Sequence, residues 1–248
     1  MRTVFPHFAA VSEDFPTDNE LAKAWEVTQA VRGLQDFGAL RPDAELLGVA
    51  AGFEHTVFYL TNFVKRVFAT DLYATNQQWK EADSGMLLDP APFATPGVPW
   101  HPRRLVVQHM NALELRYEDA SFDGVFSCGS IEHFGTLENV AQAMREMARV
   151  LKPGGVLTCA TEFRVDGPEG LGVPGAILFT REMIEEYVIG ASGLEPVDEL
   201  QTVITPDTRA AAYPLATAVA EGVRKRSIAL THDGFTWTSI AICLRKAG

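Results

Sequence analysis

Residues 105–162 read LVVQHMNALELRYEDASFDGVFSCGSIEHFGTLENVAQAMREMARVLKPGGVLTCATE, and the changes of period within them decide the fold. Leu105 to Gln108 is a short apolar run with strand character, stopped soon after at Asn111-Ala112. An acidic loop follows, then Ser121-Phe122-Asp123 and a second apolar run, Gly124 to Cys128. Leu137, Val140, Ala141, Met144, Met147, Ala148 and Leu151 then recur every three or four positions, the spacing of one helix face. That stripe reads as core packing. Lys152-Pro153-Gly154-Gly155 stops the helix, because proline has no amide hydrogen to donate and its ring clashes with the preceding turn. Val156 to Ala160 is a further strand. Strand, helix and strand in this order describe two parallel strands joined by a crossover.

The flanks extend the alternation. Thr17-Asp18-Asn19-Glu20 has the hydroxyl and carboxylate spacing of a capping box. Leu21, Ala24, Trp25, Thr28, Val31 and Leu34 then carry a helical stripe that Gly38 ends. Glu45 to Ala51 and Val67 to Thr70 are the expected first and second strands, with a helix over Thr56 to Val64 between them. Residues 73–104 break the pattern. Pro90, Pro92, Pro96, Pro99 and Pro102 crowd a connection of the kind that serves as lid, binding loop or disordered segment. Thr180 opens a helix over Arg181 to Ile189, and Leu194 to Leu200 and Trp237 to Leu244 are the expected last two strands. A polar insertion over 201–234, with a helix around Leu215 to Arg226, separates them.

The expected architecture is one domain over residues 1–248, with an N-terminal helical extension over 1–44. It is a Rossmann-like, doubly wound α/β fold. Its mostly parallel seven-stranded sheet has an antiparallel last strand and helices on both faces. Ligands of such sheets bind beyond the carboxyl ends of the strands. Chemistry is therefore expected just after Ala51, Thr70, Gln108, Cys128 and Ala160. In the first turn, Leu47-Gly-Val-Ala-Ala-Gly-Phe-Glu54, the absent side chain of Gly52 lets the backbone approach a ligand. Asp71 stands 19 positions further on, where a carboxylate accepts hydrogen bonds from both ribose hydroxyls of a nucleoside. A helix-capping aspartate is the alternative.

The order of Ser121-Phe122-Asp123, Glu132-His133 and Leu151-Lys152-Pro153-Gly154-Gly155 closely resembles the middle of a class I S-adenosylmethionine-dependent methyltransferase (methyltransferase type 11-like). The resemblance covers roughly residues 45–162. It implies S-adenosylmethionine as cofactor and methyl transfer by in-line displacement. Gly48 stands where the family usually has an acid, Ala50 replaces its first glycine, Gly52 matches the second and Glu54 replaces the third. Asn111-Ala112 stands for the usual Asp-Ala; Asn111 keeps an acceptor oxygen for the adenine amino group, and Leu113 could cover one face of the ring. An Asx-turn is the alternative there. The cofactor residues implied are Gly48, Ala50, Gly52, Asp71, Leu72, Asn111, Ala112, Leu113, Ser127, Cys128 and Gly129. Asp123, which precedes its strand, is structural.

A hydroxyl acceptor needs a base, and His133 on the ligand edge is the first candidate. His232, in His-Asp-Gly, is second, with a turn as the alternative. Glu132, Glu162 and Arg164 are candidate substrate contacts by position, and Trp100 by its place in the Pro-rich insertion. No metal cluster assembles from the sequence, so none is assigned. The two insertions, 73–104 and 201–234, are the expected seats of substrate choice.

The chain has a formal net charge of −11. Arg224-Lys225-Arg226 is its densest basic cluster, which disfavours a nucleic-acid substrate and favours a small molecule or glycan. The 3 cysteines, Cys128, Cys159 and Cys243, sit in apolar runs and read as buried thiols of a reducing compartment. Without a leader pattern or an apolar run of membrane-spanning length, a cytoplasmic protein with no membrane partner is expected. A homodimer is compatible with all of this. O-methylation of a small molecule or glycan is the leading reading. A non-catalytic methyltransferase-like binding protein and an NAD(P)-dependent oxidoreductase are the rivals. The latter is weakened by the missing glycine fingerprint and by Glu54, whose charge opposes a pyrophosphate.

Overall fold

The computed structural model describes residues 21–75, 81–220 and 228–248. The expected capping box at Thr17–Glu20, the basic cluster Arg224–Arg226 and the end of the helix expected there lie outside them.

Five parallel strands form the centre: β1 (Glu45–Val49), β2 (Arg66–Asp71), β3 (Leu105–His109), β4 (Phe122–Cys128) and β5 (Leu151–Asp166). Two-residue strands follow: β6 (Gly172–Val173) and β7 (Ala176–Ile177), which form a separate hairpin, then β8 (Glu195–Pro196) and β9 (Tyr213–Pro214). The chain closes with β10 (Ala229–His232) and β11 (Phe235–Arg245). The sheet order is β3-β2-β1-β4-β5-β11-β10-β9, with β11 antiparallel to β5 and β8 paired on β11. The order reverses beside β1, which creates the switch point.

The doubly wound, Rossmann-like architecture is the expected one, with 9 strands in the main sheet instead of seven. Of the expected strand Leu194–Leu200 only Glu195–Pro196 pairs, while Tyr213–Pro214 and Ala229–His232 are recruited from the polar insertion. The last is a hairpin arm: Asp233 and Gly234 have φ of 48° and 80°, which suits a two-residue turn whose twist matches the strands.

The strands bury both faces by period two. Leu47, Val125 and Leu157 face one core with Met144 and Met147 of the helix α3 (Leu137–Val150). Leu46 and Phe126 face the other, with Val31 and Leu34 of α1 (Leu21–Asp36) and Val57 of α2 (His55–Leu60). Each such side chain contributes about 1.5–3 kcal/mol by leaving water. The Thr136 hydroxyl caps α3 by accepting from the Asn139 amide at 3.2 Å. Helix α1 lies flush on the sheet at Gly33, where a Cβ would stand 2.6 Å from Thr158 Cγ2. That close approach carries the next-but-one turn of α1, with Lys23 and Glu26, over the carboxyl ends of β1 and β4.

Candidate active site

The turn after β1 is wound tightly. Ala50 and Gly52 have φ of 50° and 48°. A Cβ on Gly52 would come within 2.6 Å of the Glu81 carbonyl. Asp71, at the end of β2, reaches across to this turn. Its Oδ2 accepts from the Gly52 amide at 2.9 Å and its Oδ1 from the Leu72 amide at 2.7 Å. Burial raises the pKa of this carboxyl, and the two amides and His109 oppose the rise. The Tyr73 hydroxyl donates to the Gly52 carbonyl at 2.5 Å and fixes the turn from below. After β3, Asn111 Oδ1 accepts from the Leu113 amide at 3.0 Å.

The other wall is charged and dry. Lys23 Nζ stands 2.6 Å from Glu54 Oε1 and 3.7 Å from Glu26 Oε2, and it donates to the Cys128 carbonyl at 2.5 Å. Glu26 is only 3% exposed and Glu132 only 2%. Ser239 donates to Glu26 Oε1 at 2.5 Å, and Thr161 donates to Glu132 Oε2 at 2.8 Å. Burial pushes Glu26 up to about 7 against the pull of Lys23. Burial likewise raises Glu54, and its Oε2 is buried without a hydrogen-bond partner. Burial alone would lower Lys23, but the Glu54 and Glu26 carboxylates raise it. Gly129, at the end of β4, has a φ of 58°, and a Cβ there would fall 2.8 Å from both Glu26 Oε2 and Lys23 Nζ. His133 Nδ1 lies 2.8 Å from the Gly175 carbonyl and Nε2 lies 3.8 Å from Glu132 Oε1. A carbonyl only accepts, so Nδ1 carries the proton and Nε2 is the basic nitrogen.

Between these walls runs one cleft of about 520 Å³, lined by Asp71 and Asn111 as well as by Lys23, Glu26, Glu132 and Glu162. Residues 47–159 match the family described as "Methyltransferase domain". That match covers just under half of the chain. The fold is that of solved structures of S-adenosylmethionine-dependent methyltransferases. The chain is 35% identical over 98 residues to a 27-O-demethylrifamycin SV methyltransferase of Amycolatopsis mediterranei (strain S699), a match covering 40% of this chain and 33% of that protein. The chain thus spans about a third of the length of that curated relative. Among solved structures, a putative sarcosine dimethylglycine methyltransferase from Galdieria sulphuraria has a TM-score of 0.60 at 16% identity, covering 99% of this chain and 97% of that one. A Burkholderia thailandensis 1,6-didemethyltoxoflavin-N1-methyltransferase, solved with 1,6-didemethyltoxoflavin and S-adenosylhomocysteine, has a TM-score of 0.55 at 19% identity and covers 97% and 86%.

The fold brings most of the sequence-selected residues to this cleft. Ala50, Gly52, Asp71, Leu72, Asn111, Ala112, Leu113, Gly129, Glu132, His133 and Glu162 all line it. Asn111 also makes the Asx-turn named as its alternative. Six others lie elsewhere. Gly48 is buried under Phe126, whose Cζ would be 2.7 Å from a Cβ, so this position has no room for an acid. Ser127 and Cys128 are buried inside β4, and only the Cys128 carbonyl reaches the site, through Lys23. Burial raises the Cys128 thiol well above its ordinary range, which keeps it unreactive. Arg164 donates to the Gly170 carbonyl and lies over Phe235, 5.2 Å from the ring centroid. Trp100 packs edge-on against Phe58 at 5.1 Å, and His232 sits in its hairpin with Nε2 3.4 Å from Asp233 Oδ2. None of these six residues lines the cleft.

Sequence reasoning missed Lys23 and Glu26. The available signal was a charged pair on consecutive turns of a helix whose other inward positions are apolar. Among the described residues no group of three or more His, Cys, Asp or Glu could hold a metal ion, and no helix is long and apolar enough to cross a membrane.

Proposed function

We propose that this chain transfers a methyl group from S-adenosylmethionine to a hydroxyl of a small molecule or glycan. The observation that carries the reading is the charge of the cleft: Glu26, Glu54, Asp71 and Glu132 line it, and Lys23 is its one lysine or arginine among the described residues. Such a wall suits a cation and repels a pyrophosphate. The residues fit the group. Asp71 has the place and acceptors for ribose hydroxyls, Asn111 to Leu113 form a ledge for adenine, and Gly129 leaves the space a Cβ would fill. Lys23 and the unsatisfied Glu54 Oε2 supply opposite charges for an amino-acid end. S-adenosylmethionine supplies an activated methyl on a sulfonium. The chain's work is to align the acceptor and take its proton. His133 is placed for that, with Nε2 as the proton acceptor and Glu132 near enough to steady the imidazolium. The net charge of −11 supports a small acceptor over a nucleic acid. The names of the rifamycin SV and toxoflavin methyltransferases support the same class, whereas the tRNA methyltransferase 9B relatives, 49–51% identical over 45 residues, point to nucleic acid.

Calorimetry with S-adenosylmethionine, S-adenosylhomocysteine, NAD and NADP tests the cofactor. Micromolar binding of the sulfur nucleosides alone is the expected result, followed by a labelled-methyl screen of phenols, sugars and amines. Binding of NAD or NADP instead would overturn the reading in favour of an oxidoreductase. Binding of the sulfur nucleosides with no transfer to any acceptor class would favour the non-catalytic alternative.

A further inference from the structure

We propose that Glu26 reads the charge on the sulfur of the bound cofactor: ionised opposite a sulfonium, protonated opposite a neutral thioether, so that the cleft prefers the charged donor to the spent product. The proposal rests on the cofactor reading above and adds to it a residue on α1, outside the matched domain.

Glu26 reaches the cleft from the side. Its Oε1 is fixed by Ser239, while Oε2 lies beside Gly129 at the carboxyl end of β4, within 2.8 Å of where a Cβ would stand. The ribose and adenine positions lie at Asp71 and Asn111. Lys23, Glu26, Gly129 and Glu132 line the cleft at and just after the carboxyl end of β4, where this reading puts the sulfur-bearing arm.

The charged and titratable groups facing Glu26 are few. They are Lys23 on its own helix, Glu54 after β1, Glu132 and its neighbour His133 after β4, and the thiols of Cys128 and Cys159. Lys23 is committed to Glu54, at 2.6 Å against 3.7 Å for Glu26. One ammonium therefore serves two carboxylates, Glu26 and Glu54, and a third, Glu132, stands close enough to oppose the ionisation of Glu26. A dry site resists excess charge of one sign, so one carboxyl takes a proton until a cation arrives. Burial is the largest influence on Glu26 and holds it near neutrality, where a cation of fixed charge can displace its proton. The amino-acid end is a zwitterion in both donor and product and contributes no net difference. The donor and product differ by one positive charge at sulfur.

The test is titration calorimetry at pH 7 in buffers of different ionisation enthalpy, which counts protons. Glu26 is raised toward neutrality and so is partly protonated in the free protein, and S-adenosylmethionine should release a fraction of a proton while S-adenosylhomocysteine releases none or takes some up. Between pH 6 and pH 5 the donor's affinity should fall about tenfold while the product's stays level. Glu26→Gln keeps the size and an acceptor for Ser239, and should abolish both differences. Ser239→Ala, which removes a bond favouring the ionised form, should move proton release to higher pH. Equal release by both ligands would overturn the proposal, since the shared ammonium would then be the group sensed. A difference that survives in Glu26→Gln would overturn it in favour of another carboxyl. If the variant does not fold, the wild-type comparison and Ser239→Ala decide. Absence of binding by both ligands would overturn the cofactor reading together with the proposal, a result distinct from the other two.

Discussion

Strand β4 has a carboxylate cluster at each end, and the two are assembled on opposite terms. At its amino end, Asp123 accepts from Arg41 at 2.9 Å, from Lys152 at 2.9 Å and from the Glu45 amide at 2.9 Å. Burial alone would raise this carboxyl, but the amide and the two cations outweigh it and hold it below the usual range. At the carboxyl end the ratio inverts. Glu26 and Glu54 share Lys23, a third glutamate, Glu132, opposes the ionisation of Glu26, and Glu26 is raised to about 7. Two cations to one acid make a clamp that ties β4 to β1 and β5. One cation to three acids makes a site in search of positive charge. The same residue types therefore stabilise the fold at one edge of the sheet and prepare it for a ligand at the other.

If this contrast is right, substitutions at the carboxyl edge should cost function with little loss of fold, and those at the amino edge the reverse. The largest effect is expected for His133→Ala. Loss of a general base lowers turnover by roughly 100-fold or more, with the S-adenosylhomocysteine dissociation constant nearly unchanged. Steady-state kinetics beside calorimetry on one preparation would check it, and unaltered turnover would remove His133 as the base. Asp71→Ala comes next. Hydrogen bonds to a charged group contribute about 1.5–3 kcal/mol, so cofactor affinity should drop roughly 10- to 100-fold. Asp71 also holds the Gly52 amide, so Asp71→Asn, which keeps an acceptor, separates ribose contact from turn support. Unchanged affinity in both variants would remove the ribose assignment.

A smaller effect, on stability, is expected at the amino edge. Asp123→Asn should cost roughly 1–3 kcal/mol in denaturant titrations at pH 7 and leave cofactor affinity alone. The sign with pH follows from the lowered pKa. The contribution is complete above the ordinary carboxylate range and is lost as pH falls through the folded value, so the deficit of the variant should vanish in acid. Glu26 has the opposite sign. Its folded pKa lies above the unfolded one, so its effect on the cofactor-free fold becomes unfavourable as pH rises toward and past about 7. Glu26→Gln should then stabilise the cofactor-free protein at pH 8 and matter little at pH 5. Parallel pH profiles for the two variants would break the comparison between the two ends.

The amino-edge clamp and the sheet were legible because they rest on local pattern. Period two marks β1 and β4, the α3 stripe repeats every three or four residues, and Ser-Phe-Asp with Lys-Pro-Gly-Gly punctuates them. The carboxyl edge was legible where a motif ends a strand, as at Asp71, Asn111, Gly129 and His133. It was illegible where a distant helix supplies the group. Nothing in the local sequence of Lys23 and Glu26 shows that they meet Glu54, Glu132 and Ser239, the last 213 positions away. Arg164, Trp100 and His232 failed for the same reason in reverse: each stands near a strand end or insertion, but the side chain turns to a local partner. The strand Ala229–His232 was hidden because four residues take their register from β11, not from their own periodicity.

The smallest effect sharpens the comparison furthest. If the carboxyl edge is shaped for a ligand at some expense to the fold, a neutral substitution there should recover stability. Ala50 is the place to look. Its φ of 50° is a conformation that costs an L-residue with a Cβ about 1–2 kcal/mol, and it stands where the family has glycine. Ala50→Gly removes that strain. It also frees the unfolded chain, at a cost of about 0.5–1 kcal/mol, so the net gain should be at most about 1 kcal/mol. The Ser130 hydroxyl donates to the Ala50 carbonyl at 2.9 Å, a backbone contact the substitution keeps. Stability should therefore rise slightly while cofactor affinity stays within twofold or so. A stability loss would show that the Ala50 methyl packs usefully in the turn, and that this edge is less strained than its backbone angle implies.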